Sequence, residues 1–154
     1  MRRKSFVMLM VVALMAVAVA TVGASSSQSG SYEGVFVGTI YGDAGSSAPI
    51  TLDLTHRGND VEGTVEIGSG LYVNGGNCGA GYVPAGMETA VGETGSNPNR
   101  LNADASFKVS GFKVGLDLDG NLSADGETLM AEAKIDLPWL CGRDPVITGE
   151  LEKQ

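Results

Sequence analysis

Between Ile50 and Leu137, five stretches of this chain change from apolar to polar at every second residue. A pleated strand sends successive side chains to opposite faces, so this period marks a strand with one buried face. Ile50, Leu52 and Leu54 alternate with Thr51, Asp53 and Thr55, and Val61, Gly63, Val65 and Ile67 with Glu62, Thr64 and Glu66. Leu101, Ala103, Ala105, Phe107 and Val109 alternate with Asn102, Asp104, Ser106 and Lys108. Phe112, Val114, Leu116 and Leu118 alternate with Lys113, Gly115, Asp117 and Asp119, and Leu129 to Leu137 follow the same rule about Met130, Glu132, Lys134 and Asp136. Beyond the apolar N-terminus, no segment shows a helical period of similar quality.

Turn residues sit between these stretches. Arg57-Gly58-Asn59-Asp60, Ser110-Gly111 and Ala124-Asp125-Gly126-Glu127 suit tight hairpins. With the apolar segments 35–41, 71–74 and 146–152, the count reaches about eight strands. The expected fold is all-β: one antiparallel meander closed into a small barrel or folded into a sandwich, since a single apolar face must be covered. A tight Ser110-Gly111 turn sets Ala105 opposite Leu116, with Ala131 alongside, and Phe107, Val114 and Ala133 at the next level. Small beside large fills a narrow barrel, although the same alanines also suit a ligand cavity.

The first residues concern location. Arg2, Arg3 and Lys4 precede an apolar run from Phe6 to Val22, and Val22-Gly23-Ala24 offers the small residues of a cleavage site. This reads as a signal peptide over 1–24, cut after Ala24, with an uncleaved anchor as the alternative. A flexible linker over 25–31 and a domain over 32–154 follow, in a secreted or periplasmic setting. About 130 residues suit one domain. Removing the three cations from 10 Lys+Arg against 18 Asp+Glu leaves 7 against 18, a net charge of −11. Such a surface repels nucleic acid and anionic lipid, so neither is expected as a partner, nor is membrane insertion of the mature domain.

Two cysteines, Cys78 and Cys141, are expected to pair in an oxidising compartment. Closing a loop of more than sixty residues would contribute roughly 4 kcal/mol on a chain-entropy argument. From Gly75 to Arg100 the glycines, Pro84 and Pro98 suggest one long irregular loop, pinned at Cys78 to Pro138-Trp139-Leu140-Cys141. Tyr82, Met87 and Trp139 are its candidate ligand- or partner-binding residues, because the strands' polar faces are poor in aromatics. Alternatively, the disulfide and Trp139 plug one barrel end.

Tyr32-Glu33-Gly34-Val35-Phe36 at the head of the first strand, followed by an eight-strand meander, resembles the lipocalin-like, or calycin, class of small barrels. That resemblance implies an up-and-down barrel able to hold an apolar ligand. The class's later motifs are unmatched, and no ligand-contacting residue carries over.

Signals for chemistry are thin. His56 is the sole histidine, which rules out a three-histidine zinc site in one chain, and no GxSxG marks a nucleophile. Its place at a strand end suits a solvated or core-capping role. Asp117/Asp119 and Glu62/Glu66 share strand faces that read as solvated. The glycines over 75–81 lack a phosphate loop's ending. Asn121, Ser123, Asp125, Gly126 and Glu132 match an EF-hand spacing in part but fit a plain β-turn better, and Asn121-Leu122-Ser123 is a glycosylation sequon. No cofactor is expected. The reading is an exported, non-catalytic barrel that binds a small apolar ligand or a partner protein. A protein inhibitor of a hydrolase is the alternative, and a barrel enzyme using His56 stands third.

Overall fold

The computed structural model describes residues 30–109 and 112–154. These described residues form ten strands: β1 (Gly34–Tyr41), β2 (Ser47–Arg57), β3 (Asp60–Ile67), β4 (Tyr72–Asn74), β5 (Ala80–Tyr82), β6 (Gly86–Thr94), β7 (Arg100–Val109), β8 (Phe112–Leu122), β9 (Thr128–Asp136) and β10 (Val146–Lys153). Eight of them close a barrel in chain order, β1-β2-β3-β6-β7-β8-β9-β10, with β10 pairing back onto β1 and every pairing antiparallel. This is the expected all-β meander, and closure gives its first and last strands each other as partners. β4 and β5 form a separate hairpin.

The stretch 75–100 is not one irregular loop. It carries β5 and β6, and β6 is a wall strand pairing with β3 and β7. Conversely, Leu71–Asn74, counted among the barrel strands, belongs to the separate hairpin. The physical reason lies in which face of β6 is apolar. Its inward positions hold Gly86, Glu88, Ala90, Gly92 and Thr94, while Met87 and Val91 stand exposed on the outer face. Small or polar residues inside and apolar ones outside erase the alternation by which a strand is recognised.

The β7–β8 register has Ala105 opposite Leu116 and Phe107 opposite Val114, as the alternation implies; the Ser110-Gly111 turn itself lies outside the described residues. The β8–β9 register differs. Leu116 meets Ile135, Ala133 meets Leu118 and Ala131 meets Gly120, because β8 runs on to Leu122 and the hairpin pivots about Asp125. The register is shifted by four residues, so small meets large only at Ala133 and Leu118, while Leu116 meets the large Ile135 and Ala131 the small Gly120.

One half of the interior is filled. Phe36, Leu52, Leu129 and Leu151 are fully buried there, and the void bounded by Ile40, Val65 and Leu118 is about 10 Å³. The walls approach closely in places: a Cβ at Gly38 would run into the Glu150 carbonyl oxygen, so only glycine fits. Tyr32 plugs this end. Its backbone N–H donates to His56 Nδ1 at 3.3 Å, its hydroxyl donates to the Asn99 carbonyl at 2.6 Å, and its ring meets His56 edge-on.

Candidate functional site

The opposite end is built differently. After Ile67 the chain crosses the barrel mouth as β4, turns through a short 3-10 segment at Gly76–Cys78 and returns as β5. This hairpin is a lid. Val83 N–H donates to the Leu71 carbonyl at 2.8 Å and Gly75 N–H to the Gly79 carbonyl at 2.8 Å, closing the hairpin on itself. The β1–β2 connection latches one flank. Tyr72 N–H donates to Ser46 Oγ at 2.9 Å, the Ser46 hydroxyl donates to the Tyr72 carbonyl at 3.1 Å, and Asn74 N–H donates to Asp43 Oδ2 at 2.8 Å. Arg143 holds the other oxygen of Asp43 at 2.6 Å, tying in the β9–β10 connection.

Covalent closure completes the lid. Cys78 and Cys141 form a disulfide with their Cα atoms 4.8 Å apart, as their number and setting suggested. Cys141 ends a second 3-10 turn, Trp139–Cys141. The connection carrying that turn is ordered by Asp144, which pairs with Lys134 at 2.9 Å and accepts the Leu137 N–H. The Lys134 hydrogen bond, then the Leu137 N–H, hold the Asp144 carboxyl below the usual carboxylate range.

Between lid and barrel lies a chamber of about 290 Å³. Its floor and walls are the inward side chains Ile67, Phe107, Val114, Leu116, Ile135 and Ile147, and its roof includes Leu71, Val73, Tyr82, Val83 and Leu137. No charged side chain lines it among the described residues. The interior is thus packed at one end and hollow at the other; Ala131 and Ala133 lie at the packed end, and neither they nor Ala105 line the chamber. The hollow volume falls at the low end of small-molecule pockets, and its lining can offer dispersion and desolvation but little hydrogen bonding.

The wall beside the chamber is incomplete. The β6–β7 ladder runs from Thr94↔Leu101 to Ala90↔Ala105 and stops. Its neighbours continue: β3–β6 reaches Ile67↔Gly86 and β7–β8 runs past Phe107↔Val114. Thr89 and Glu88 therefore lack the ladder partners that Ser106 and Phe107 would supply. Phe107 faces inward yet is only half-buried, as a seam open to solvent requires.

The three residues singled out from the sequence divide. Tyr82 is 69% exposed on the lid, lines the chamber and stacks edge-on against Tyr72 at 5.3 Å. Trp139 is 86% exposed on its turn beside the disulfide, so it does not plug the barrel. Met87 is 60% exposed on the outer face of β6, opposite Glu66 and outside the chamber. The lid end thus gathers Tyr82 and Trp139, with Met87 on the flank. The chamber residues Val73, Val83, Phe107, Val114 and Leu137 were not singled out. Phe107 and Val114 carry the same inward signal as core residues, and nothing local distinguishes a lined void from a packed one.

The groups weighed for chemistry lie elsewhere. His56 is at the end opposite the chamber; its Nδ1 accepts the Tyr32 N–H, so a neutral ring carries its proton on Nε2, a buried atom with no partner among the described residues. Asp117, Asp119, Glu62 and Glu66 are exposed on the outer wall. In the Asn121–Glu132 segment, Ser123 Oγ donates to Asp125 Oδ1 at 2.5 Å, Gly126 N–H donates to the Ser123 carbonyl, and the strands pair on either side as a β-hairpin. The Ser123 bond is the main reason the Asp125 carboxyl is held below its ordinary range.

No family model matches the chain, and no curated protein matches it. Two solved structures are similar in fold. The barrel EF1p2_mFAP2b bound to DFHBI superposes with a TM-score of 0.53 at 11% identity, covering 79% of this chain and 93% of that one. A redesigned β-barrel superposes with a TM-score of 0.51 at 13% identity, covering 79% and 90%. At these identities the likeness concerns architecture alone: this chain is a small closed β-barrel.

Proposed function

We propose that this protein is an exported, non-catalytic binding module that holds a small apolar ligand in the chamber beneath its lid. The observation carrying this reading is the chamber itself: an apolar volume of about 290 Å³ in a barrel whose other half is filled with large side chains. A fold with no use for the space would collapse it, since unfilled apolar volume costs stability. One structurally similar barrel is described bound to the small molecule DFHBI, which supports the capacity of such a scaffold. Kinship with the lipocalin-like class belongs to the same proposal; the up-and-down order and the end closed by Tyr32 support it. Export over a signal peptide at 1–24, a segment outside the described residues, is supported by the disulfide, which persists in oxidising compartments.

Native mass spectrometry of the protein isolated from its own host tests the reading. A bound small molecule is expected, lost in Val114→Trp, which fills the chamber. Ligand-free protein that also fails to take up an apolar dye would overturn it.

A second reading is favoured by one observation. Among the described residues the most exposed large apolar side chain, Trp139, rides on a turn ending in the disulfide. Rigid presentation lowers the ordering cost of binding, so a rim of Tyr82, Met87 and Trp139 suits a partner protein, a hydrolase inhibited by this chain included.

A further inference from the structure

One inward position of the barrel wall breaks its apolar rule. On β6 the even-numbered residues face the interior, as buried Ala90 and Thr94 show, and Glu88 belongs to that series. Its cross-strand partner on β3 is Val65, a core residue 2% exposed. Among the described residues it is the only acidic one at an inward position of the eight wall strands.

Its location joins it to the chamber. Gly86, two residues before Glu88, pairs with Ile67, which lines the chamber. Had the β6–β7 ladder continued, Glu88 would face Phe107, another lining residue. The ladder's last pair lies two positions earlier, at Ala90 and Ala105, so Glu88 stands at the lip of the open seam, half-buried, at the edge of an apolar space it does not itself line. Neither ion pair among the described side chains involves it. The two lid-end cations that form ion pairs, Arg143 and Lys134, are engaged by Asp43 and Asp144.

We propose that Glu88 is the polar recognition group of this chamber, and that the ligand is an amphiphile with an apolar body and a cationic amine head, admitted through the β6–β7 seam. The inference rests on the chamber reading and narrows it. The apolar body leaves water for Ile67, Phe107 and Leu116, while the ammonium stays at the lip, donating to the Glu88 carboxylate. An alcohol can also donate to the carboxylate, but an ammonium adds the attraction of opposite charges at a half-buried site, so an amine gains over an alcohol of the same length. An anionic head meets both Glu88 and the acidic surface, and is repelled.

Three probes sharing one eight-carbon body separate these terms: octylamine, 1-octanol and octanoate, titrated calorimetrically into the protein with its disulfide intact. Octylamine should bind roughly tenfold or more tightly than 1-octanol, the scale of a hydrogen bond to a charged group. Octanoate should be weakest. In Glu88→Gln the amine's advantage should vanish while 1-octanol affinity stays within about twofold, and added salt should shrink the advantage in the unaltered protein. If 1-octanol binds and octylamine is no tighter, or if the preference survives Glu88→Gln, the assignment of Glu88 falls and the chamber reading stands. If none of the three binds, the chamber reading falls and takes this inference with it.

Discussion

The two ends of this barrel solve the same problem by different means. At the closed end, Phe36, Leu52, Leu129 and Leu151 fill the interior and Tyr32 seals it with hydrogen bonds from its own backbone and hydroxyl. At the lid end the same strands carry the same alternating apolar residues, yet a hairpin stands across the mouth and about 290 Å³ stays unfilled. Packing density supplies stability at one end, and a covalent bond with a set of polar latches supplies it at the other. A void beside a packed core is therefore a local departure that the disulfide offsets.

Removing the tether gives the largest expected effect. Cys78 and Cys141 are 63 residues apart, so replacing both by serine should lower unfolding free energy by roughly 4 kcal/mol, read by chemical denaturation. Amide exchange should then quicken at Tyr72, Asn74 and Val83, whose N–H groups hold the lid, before it quickens in the closed end. Uniform quickening would mean that lid and barrel are one unit. A matched pair of deletions comes next. Leu129→Ala, at a fully buried site of the closed end, should cost about 3 kcal/mol. Leu137→Ala, which trims the wall of an existing void, should cost about 1 kcal/mol or less, because few contacts are lost. Equal costs would erase the distinction between the ends.

Much of this architecture is legible in the residues. Period-two alternation identifies β2, β3, β7, β8 and β9 because each has one apolar face against the core and one polar face in water. β6 is the instructive exception. Its inward positions are small or polar and its apolar Met87 and Val91 point outward, so only its pairing with β3 and β7 makes it a strand. The disulfide follows from number and setting, but the lid it anchors does not, since β4 and β5 are three residues each. The chamber is the least legible. Val114 and Leu116 look alike in sequence, and whether space remains between them and the facing wall depends on where a distant hairpin sits. Glu88 had a detectable sign, a carboxylate in phase with Ala90, but that sign is visible only once β6 is known to be a strand.

A smaller effect probes the seal of the closed end. Burial pushes the Tyr32 phenol up to about 12, against the pull of the Leu122 backbone and the Arg100 charge. An acid whose folded pKa lies above its ordinary value near 10 contributes full stability below pH 10 and loses it as pH rises towards 12. Tyr32→Phe removes the hydroxyl's bond to the Asn99 carbonyl and should cost about 1 kcal/mol at neutral pH. The gap between the two proteins should then narrow across pH 10 to 12. A gap that is constant through that range would mean the phenol ionises without strain, and that Tyr32 seals the barrel by its ring alone.

The smallest expected change in stability belongs to Trp139, a largely exposed apolar residue of the lid end. Trp139 is 86% exposed, so Trp139→Ala should shift unfolding free energy by no more than about 0.5 kcal/mol. Exposed apolar side chains that lie together, unlike single scattered ones, mark an interaction surface or an association liability. The neighbour of Trp139, Leu140, is exposed too, and Arg143 and Asp144 fix the connection that carries them both. The chain's only tryptophan therefore reports one place. Its fluorescence should be that of a solvated indole in the free protein and should move towards shorter wavelengths when a partner protein binds at the rim. Filling the chamber with 1-octanol should leave it unchanged, since Trp139 does not line that space. A shift with octanol and none with a bound partner would reverse the assignment, making Trp139 part of a mobile lid over the ligand and removing the basis for a protein-binding rim.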